Sequence, residues 1–127
     1  MPKTIENLTK RKPTGGRTKP YRGRRAREAD SYPIETVLGT AELVRKRSRG
    51  GNEKLALRRA AEANVYDPSA KTASKVKIVA VIENKTSRDY QRRGVITRGA
   101  LIQTEAGNAR VTSRPGQDGV INAVLLK

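Results

Sequence analysis

From Ile34 onward the apolar positions recur with a period nearer two than 3.6, which marks strands rather than amphipathic helices. Ile34, Val37 and Leu38 open the first strand, and Glu42 to Arg49 alternates loosely toward a break at Arg49-Gly50-Gly51-Asn52. Lys54-Leu55-Ala56-Leu57-Arg58 then resumes with Leu55 and Leu57 on one face, so this stretch predicts a hairpin with a glycine turn. Glu53 to Asn64 is also rich in helix formers and fits three helical turns; strand is the favoured reading. Asn64-Val65-Tyr66, closed by Asp67-Pro68, gives the next strand. The clearest strand follows, from Lys75 to Ile82, with five β-branched positions. Its alternation sends Val76, Ile78, Ala80 and Ile82 inward, and from Val79 the opposite face turns apolar as well, which predicts cover on both sides at that end.

Glu83 to Arg93 is polar and reads as a loop, with one helical turn capped by Ser87 or Thr86 as the alternative. Ala100 to Glu105, a turn at Ala106-Gly107-Asn108, Ala109 to Ser113, a turn from Pro115 to Gly119, and Val120 to Leu126 complete the pattern. About six short strands, spaced by roughly 8–12 residues and separated by Gly, Pro and Asn turns, predict an all-β fold: a small β-barrel-like domain.

The chain before Ile34 has a different character. Residues 1–27 hold ten basic side chains (Lys3, Lys10, Arg11, Lys12, Arg17, Lys19, Arg22, Arg24, Arg25 and Arg27) against Glu6 alone, a net +9. Residues 28–127 hold 18 basic and 11 acidic side chains, a net +7, so more than half of the total +16 lies in about a fifth of the chain. With Pro2, Pro13, Pro20, Gly15, Gly16 and Gly23, and only Ile5 and Leu8 as large aliphatics, this stretch has little apolar surface to offset the entropy of ordering it. It is expected to be an extended arm over residues 1–32, with the barrel domain at 33–127; Pro33 marks the boundary, because the residue before a proline is pushed toward extended geometry.

Composition narrows the chemistry. The 127 residues suit one small domain, and the 35% hydrophobic fraction, with four tyrosines as the only aromatics, leaves a core to be built from Val, Ile, Leu and Ala. With no cysteine and no histidine, the chain cannot form a zinc finger, a disulfide framework, a haem axial site, a Ser-His-Asp triad or a cysteine nucleophile. Asp67, Asp89 and Asp118 lie in separate turns, without the spacing that would gather carboxylates around magnesium. Gly15-Gly16-Arg17 neither follows a strand nor continues as Gly-Lys-Ser/Thr, so it is no phosphate loop. Neither catalysis, nor a cofactor, nor a metal, nor a small-molecule substrate is expected. No stretch reads as a signal peptide or a transmembrane helix, and the Pro and Gly content of the arm opposes a membrane-surface helix, so a cytoplasmic protein without a membrane partner is expected.

A sequence pI near 11.0 points to a polyanion. Lys and Arg that neutralise phosphates release condensed counterions, so Lys10, Arg11, Lys12, Arg17, Lys19, Arg22, Arg24, Arg25 and Arg27 are candidate nucleic-acid contacts, with Tyr21 as a stacking platform. The arm is richer in Arg than Lys, and guanidinium forks hold phosphates bidentately. Arg45, Lys46, Arg47 and Arg49 form a second basic cluster at the expected hairpin tip, where charge also protects an edge strand from aggregation. Arg92 and Arg93, beside Tyr90, and Arg114, before the Pro115-Gly116 turn, complete the candidates. No helix-turn-helix, zinc finger or basic zipper is present, whereas arginine-rich arms commonly order on folded RNA, so RNA is favoured over DNA.

Several motifs run in order along the chain: Lys12-Pro13-Thr14-Gly15-Gly16-Arg17 and Pro20-Tyr21-Arg22; Arg47, Arg49-Gly50-Gly51-Asn52 and Lys54; Ala63-Asn64-Val65 and Asp67-Pro68; Val81-Ile82-Glu83-Asn84; Tyr90, Arg92-Arg93, Ile96-Thr97 and Gly99; and Thr112-Ser113-Arg114-Pro115-Gly116-Gln117-Asp118-Gly119. Together they closely resemble small-ribosomal-subunit protein eight of the eukaryotic type, a family of archaea and eukaryotes, at the compact archaeal length. The resemblance implies a β-barrel-like domain, a basic extension reaching into small-subunit ribosomal RNA, neighbouring small-subunit proteins as further partners, and a structural role. It adds Lys54 to the RNA-contacting hairpin. Two stretches depart from the family pattern: Glu6-Asn7-Leu8-Thr9 is nearly uncharged, and Ala26, Glu28, Ala29, Asp30 and Tyr32 stand where a longer basic run is usual. A ribosome-assembly factor or a general RNA-binding protein is the alternative reading.

Overall fold

A computed structural model of the chain describes residues 11–19, 22, 25 and 32–126. The chain divides into two units, Met1–Pro33 and Ile34–Lys127. In the first unit, Arg11 and Arg17 pair across a tight turn: the Lys12 N–H donates to the Gly16 carbonyl at 3.0 Å and the Gly15 N–H to the Lys12 carbonyl at 2.9 Å. Gly15 takes φ +79°, and the Arg11 guanidinium donates to its carbonyl at 3.1 Å.

The second unit is built of strands: β1 (Thr36–Leu38), β2 (Glu42–Arg47), β3 (Glu53–Ala60), β4 (Glu62–Asp67), β5 (Thr72–Glu83), β6 (Val95–Ile96), β7 (Leu101–Thr104), β8 (Gly107–Val111) and β9 (Asn122–Leu125). Single helical turns, α1 (Arg88–Arg92) and α2 (Pro115–Asp118), interrupt them. Five strands close a barrel in the order β4-β5-β7-β8-β9; every pairing is antiparallel except the closure, where β4 and β9 run parallel with Val65 opposite Ala123. The remaining strands form a sheet in the order β2-β3-β1-β6.

The barrel interior follows from the period-two pattern. Ala63 and Val65, Ala109 and Val111, and Ala123 alternate with exposed neighbours and meet Ile78 and Ile102 inside. Alanine at three of these positions suits a five-stranded barrel, whose lumen holds few large side chains. Leu57, Ala60 and Ile96 extend the same core into the sheet, and the buried Thr36 hydroxyl donates to the Leu57 carbonyl at 2.6 Å. Glu53 to Asn64 is strand rather than helix, with Ala61 at the corner between β3 and β4, its carbonyl accepting from the Ile78 N–H at 2.9 Å.

Four expectations are corrected. In β5 the register shifts between Ile78 and Ala80 and again between Val81 and Glu83. Bulges oppose two residues to one and so reverse the inward phase. Val81 therefore packs on the core, whereas Ile82 is 44% and Val79 54% exposed: Ile82 does not point inward, and this end of the strand is not covered on both sides. Glu83 to Arg93 is not simply a loop, because the Ser87 hydroxyl accepts the Asp89 N–H at 3.2 Å and caps α1. The turn after β7 is tighter than expected, with β8 starting at Gly107, whose carbonyl accepts from the Thr104 hydroxyl at 2.8 Å. The two-residue β6 is too short to show a period in the sequence.

The Thr112 to Gly119 run folds as a cap on β3. The Ser113 hydroxyl donates to the Val120 carbonyl at 2.9 Å and accepts from the Asn122 N–H at 2.9 Å, while the Asp118 carboxylate accepts from the Arg114 N–H at 2.8 Å. Pro115 is buried and Gly119 ends α2 at φ +74°. A Cβ on Gly116 would sit 2.6 Å from the Ile34 carbonyl oxygen, and one on Gly119 would sit 3.1 Å from the Leu55 Cβ. The glycines here are demanded by packing as well as by backbone angle.

Candidate nucleic-acid interface

The basic hairpin is β2 and β3. β2 is an edge strand, paired to β3 alone, and alternation places Arg45 and Arg47 on one face and Lys46 on the other. The register sets Arg45 opposite Leu55, Arg47 opposite Glu53, and Lys46 directly opposite Lys54. Between them, Ser48 donates its N–H to the Asn52 carbonyl at 2.6 Å, and the Asn52 side-chain amide donates to the Arg49 carbonyl at 3.1 Å. Gly50 and Gly51, at φ +71° and +77°, make the turn that fixes this register.

Charge at the tip is barely compensated. Glu53 stands 4.0 Å from Arg45, and both are exposed. Glu42, the other carboxylate of the hairpin, lies at its base and is taken by Arg58 at 3.2 Å and Arg59 at 3.9 Å. Among the described residues, no carboxylate comes within ion-pair distance of Lys46, Arg47, Arg49 or Lys54. Like charges directly opposed on one sheet face are destabilising, so the pairing of Lys46 with Lys54 works against folding unless an anion lies over it.

The other candidates fare differently. Arg93 is held by carboxylates: its guanidinium forks onto Glu35 through both terminal nitrogens, one of them at 3.1 Å, and reaches Asp89 at 2.8 Å. Its guanidinium carbon lies 5.5 Å from the centre of the Tyr90 ring. The Glu35 hydrogen bond chiefly raises its pKa further, and its charge persists at every physiological pH. Arg92 shares Asp89 at 3.2 Å. This cluster is close to neutral and ties α1 to the chain just before β1. Arg114 is exposed at the start of α2. In the first unit Arg11, Lys12, Arg17, Lys19 and Arg25 are exposed and Arg22 is half-buried, while Lys10, Tyr21, Arg24 and Arg27 lie outside the described residues.

One basic group carries no signature in the sequence. Lys85, Arg98 and Arg110, far apart in sequence, line a single cavity on the second unit. No run of like charge advertises them; only strand pairing brings them together. Among the described residues there is no group of three His, Cys, Asp or Glu placed to hold a metal ion, and no helix is long and apolar enough to cross a membrane.

Comparison with known proteins gives matches along nearly the whole chain. The sequence profile of the family described as Ribosomal protein S8e matches residues 6–126. The small ribosomal subunit protein eS8 of Sulfolobus acidocaldarius is 55% identical over 118 residues, covering 92% of this chain and 92% of that protein. Its counterpart in Picrophilus torridus is 53% identical over 116 residues, 91% of this chain and 93% of that protein. The eS8 of Methanobrevibacter smithii is 46% identical over 116 residues, with the same shares of 91% and 93%.

Proposed function

The chain belongs to the ribosomal protein S8e family, and from that premise we propose that it is a structural constituent of the small ribosomal subunit, binding and stabilising small-subunit ribosomal RNA through its basic arm and its β2–β3 hairpin. Its work is electrostatic and architectural rather than catalytic. Arm and hairpin neutralise phosphates where RNA helices pack closely, and the barrel is the rigid body that carries the hairpin. Specificity comes from RNA shape, since contacts of this kind position more than they read sequence. Its partners are that RNA and the adjoining proteins of the subunit, and its place is the cytoplasm, within the subunit.

The observation that carries this reading is the barely compensated hairpin, where Lys46 faces Lys54 across two strands. Cations opposed across a strand pair are costly for the free protein and favourable once a phosphate backbone lies over them.

Binding of the full chain to small-subunit ribosomal RNA should weaken steeply with salt, the log-log slope reporting roughly 0.7–0.9 per neutralised phosphate. A slope near zero would refute the electrostatic mechanism.

A further inference from the structure

We propose that Lys85, Arg98 and Arg110 form a second phosphate site, a pocket on the barrel that takes one backbone phosphate of the ribosomal RNA. This rests on the reading that the chain binds that RNA, and it adds a contact outside the arm and the hairpin.

The three cations come from separate elements. Lys85 follows β5, Arg98 lies in the turn between β6 and β7, and Arg110 is the last but one residue of β8, on the outer face because Ala109 and Val111 point inward. With Thr86, Gly99 and Leu101 they line a cavity of 240 Å³. That lies below the roughly 300–1,000 Å³ of small-molecule sites, and so suits an oxyanion group rather than a whole nucleotide. Among the described residues no carboxylate is within ion-pair distance of any of the three cations. Glu83 shares the cross-strand row of Arg110, but Leu101 stands between the two, and Glu83 does not line the cavity. Three converging like charges around a concavity focus a positive potential that only an anion relieves.

The pocket is also braced from beneath. Asn84 is 2% exposed, and its side-chain amide donates to the Val95 carbonyl at 2.8 Å. Its side-chain oxygen accepts from the Thr86 N–H at 3.0 Å and from the Thr97 hydroxyl at 3.1 Å. One buried side chain thus joins the segment that carries Lys85 to the segment that carries Arg98. The Gly99 N–H donates to the Val111 carbonyl at 2.8 Å and the Val111 N–H to the Ala100 carbonyl at 2.9 Å, tying the Arg98 turn to the strand that carries Arg110. Gly99 takes φ +85°, and a Cβ there would meet open space, so the turn demands glycine for its backbone angle. Buried polar groups satisfied in this way hold side-chain platforms rigidly.

The test compares two full-length variants of equal charge change on purified archaeal small-subunit ribosomal RNA across a salt series. One is Lys85→Gln with Arg98→Gln and Arg110→Gln; the control is Lys71→Gln with Lys77→Gln and Arg88→Gln. The pocket variant should lose about 10–100-fold in affinity, as charged hydrogen bonds to one phosphate are removed, and its salt slope should fall by roughly 0.7–0.9. The control should keep the wild-type slope. Equal losses in both variants would show bulk charge and overturn the pocket. A pocket variant that binds like wild type, while wild type binds steeply, would overturn the pocket and leave the parent reading standing. Failure of the wild-type chain to bind the RNA would overturn both. Arg110→Gln alone, in an otherwise unaltered chain, should show a smaller loss in the same direction, and its absence counts against the pocket even if the triple variant misfolds.

Discussion

At the residue scale, the positions most visible in the sequence also carry structural duties. In the run Thr112 to Gly119, which contains the candidate Arg114 and two glycines, polar groups hold the loop's own shape: Ser113 bridges Val120 and Asn122, and Asp118 holds the Arg114 N–H. Gly116 is the clearest case. Since a Cβ there would meet the Ile34 carbonyl oxygen at 2.6 Å, Gly116→Ala forces backbone apart and should destabilise the protein by about 1–3 kcal/mol. Urea denaturation checks this; a variant as stable as wild type would show that the α2 cap yields freely. Arg93 teaches the same lesson in reverse. Its place beside Tyr90 and Arg92 makes it a candidate RNA contact, and no pattern in the sequence pairs it with Glu35, 58 positions away. Long-range ion pairs leave no local signature, which is why the neutral character of that cluster appears only in the folded chain.

At the element scale, alternation made the barrel strands legible, and the glycine turn made the β2–β3 hairpin legible, because both signals are local. What alternation could not supply is register across strands. The inward phase of β5 reverses at bulges set by its pairing with β7, so Ile82 faces out although it continues the sequence pattern of Val76 and Ile78. The opposition of Lys46 and Lys54 is likewise a product of register, fixed by the turn at Gly50 and Gly51. It yields a prediction whose two halves have opposite sign. Lys46→Glu replaces a like-charge pair with a complementary one, so the free protein should gain about 0.2–1 kcal/mol in chemical denaturation, while its affinity for small-subunit RNA falls. A gain in both stability and affinity, or a loss in both, would show that the pair is not held for an anion.

At the scale of the whole molecule, the core of the second unit draws, among the described residues, on positions from Leu57 to Ala123. Removing residues 1–27 should therefore leave strand content in circular dichroism intact while most RNA affinity is lost with the +9 of that stretch. Unfolding of the truncated chain would place the arm within the core. The class of the molecule was legible from bulk quantities, since a net +16 without cysteine or histidine points to a polyanion and leaves few routes to catalysis. The Lys85, Arg98 and Arg110 pocket was not, because its members approach one another only once β5, β7 and β8 have paired.

The central claim, residence in the small ribosomal subunit, is met most directly by sedimenting a cell lysate through a sucrose gradient at moderate magnesium and probing each fraction for this chain. The expected result is presence in free small subunits and in translating ribosomes alike, stable to washing at moderate salt. Confinement to large-subunit precursors, or to the top of the gradient, would contradict it.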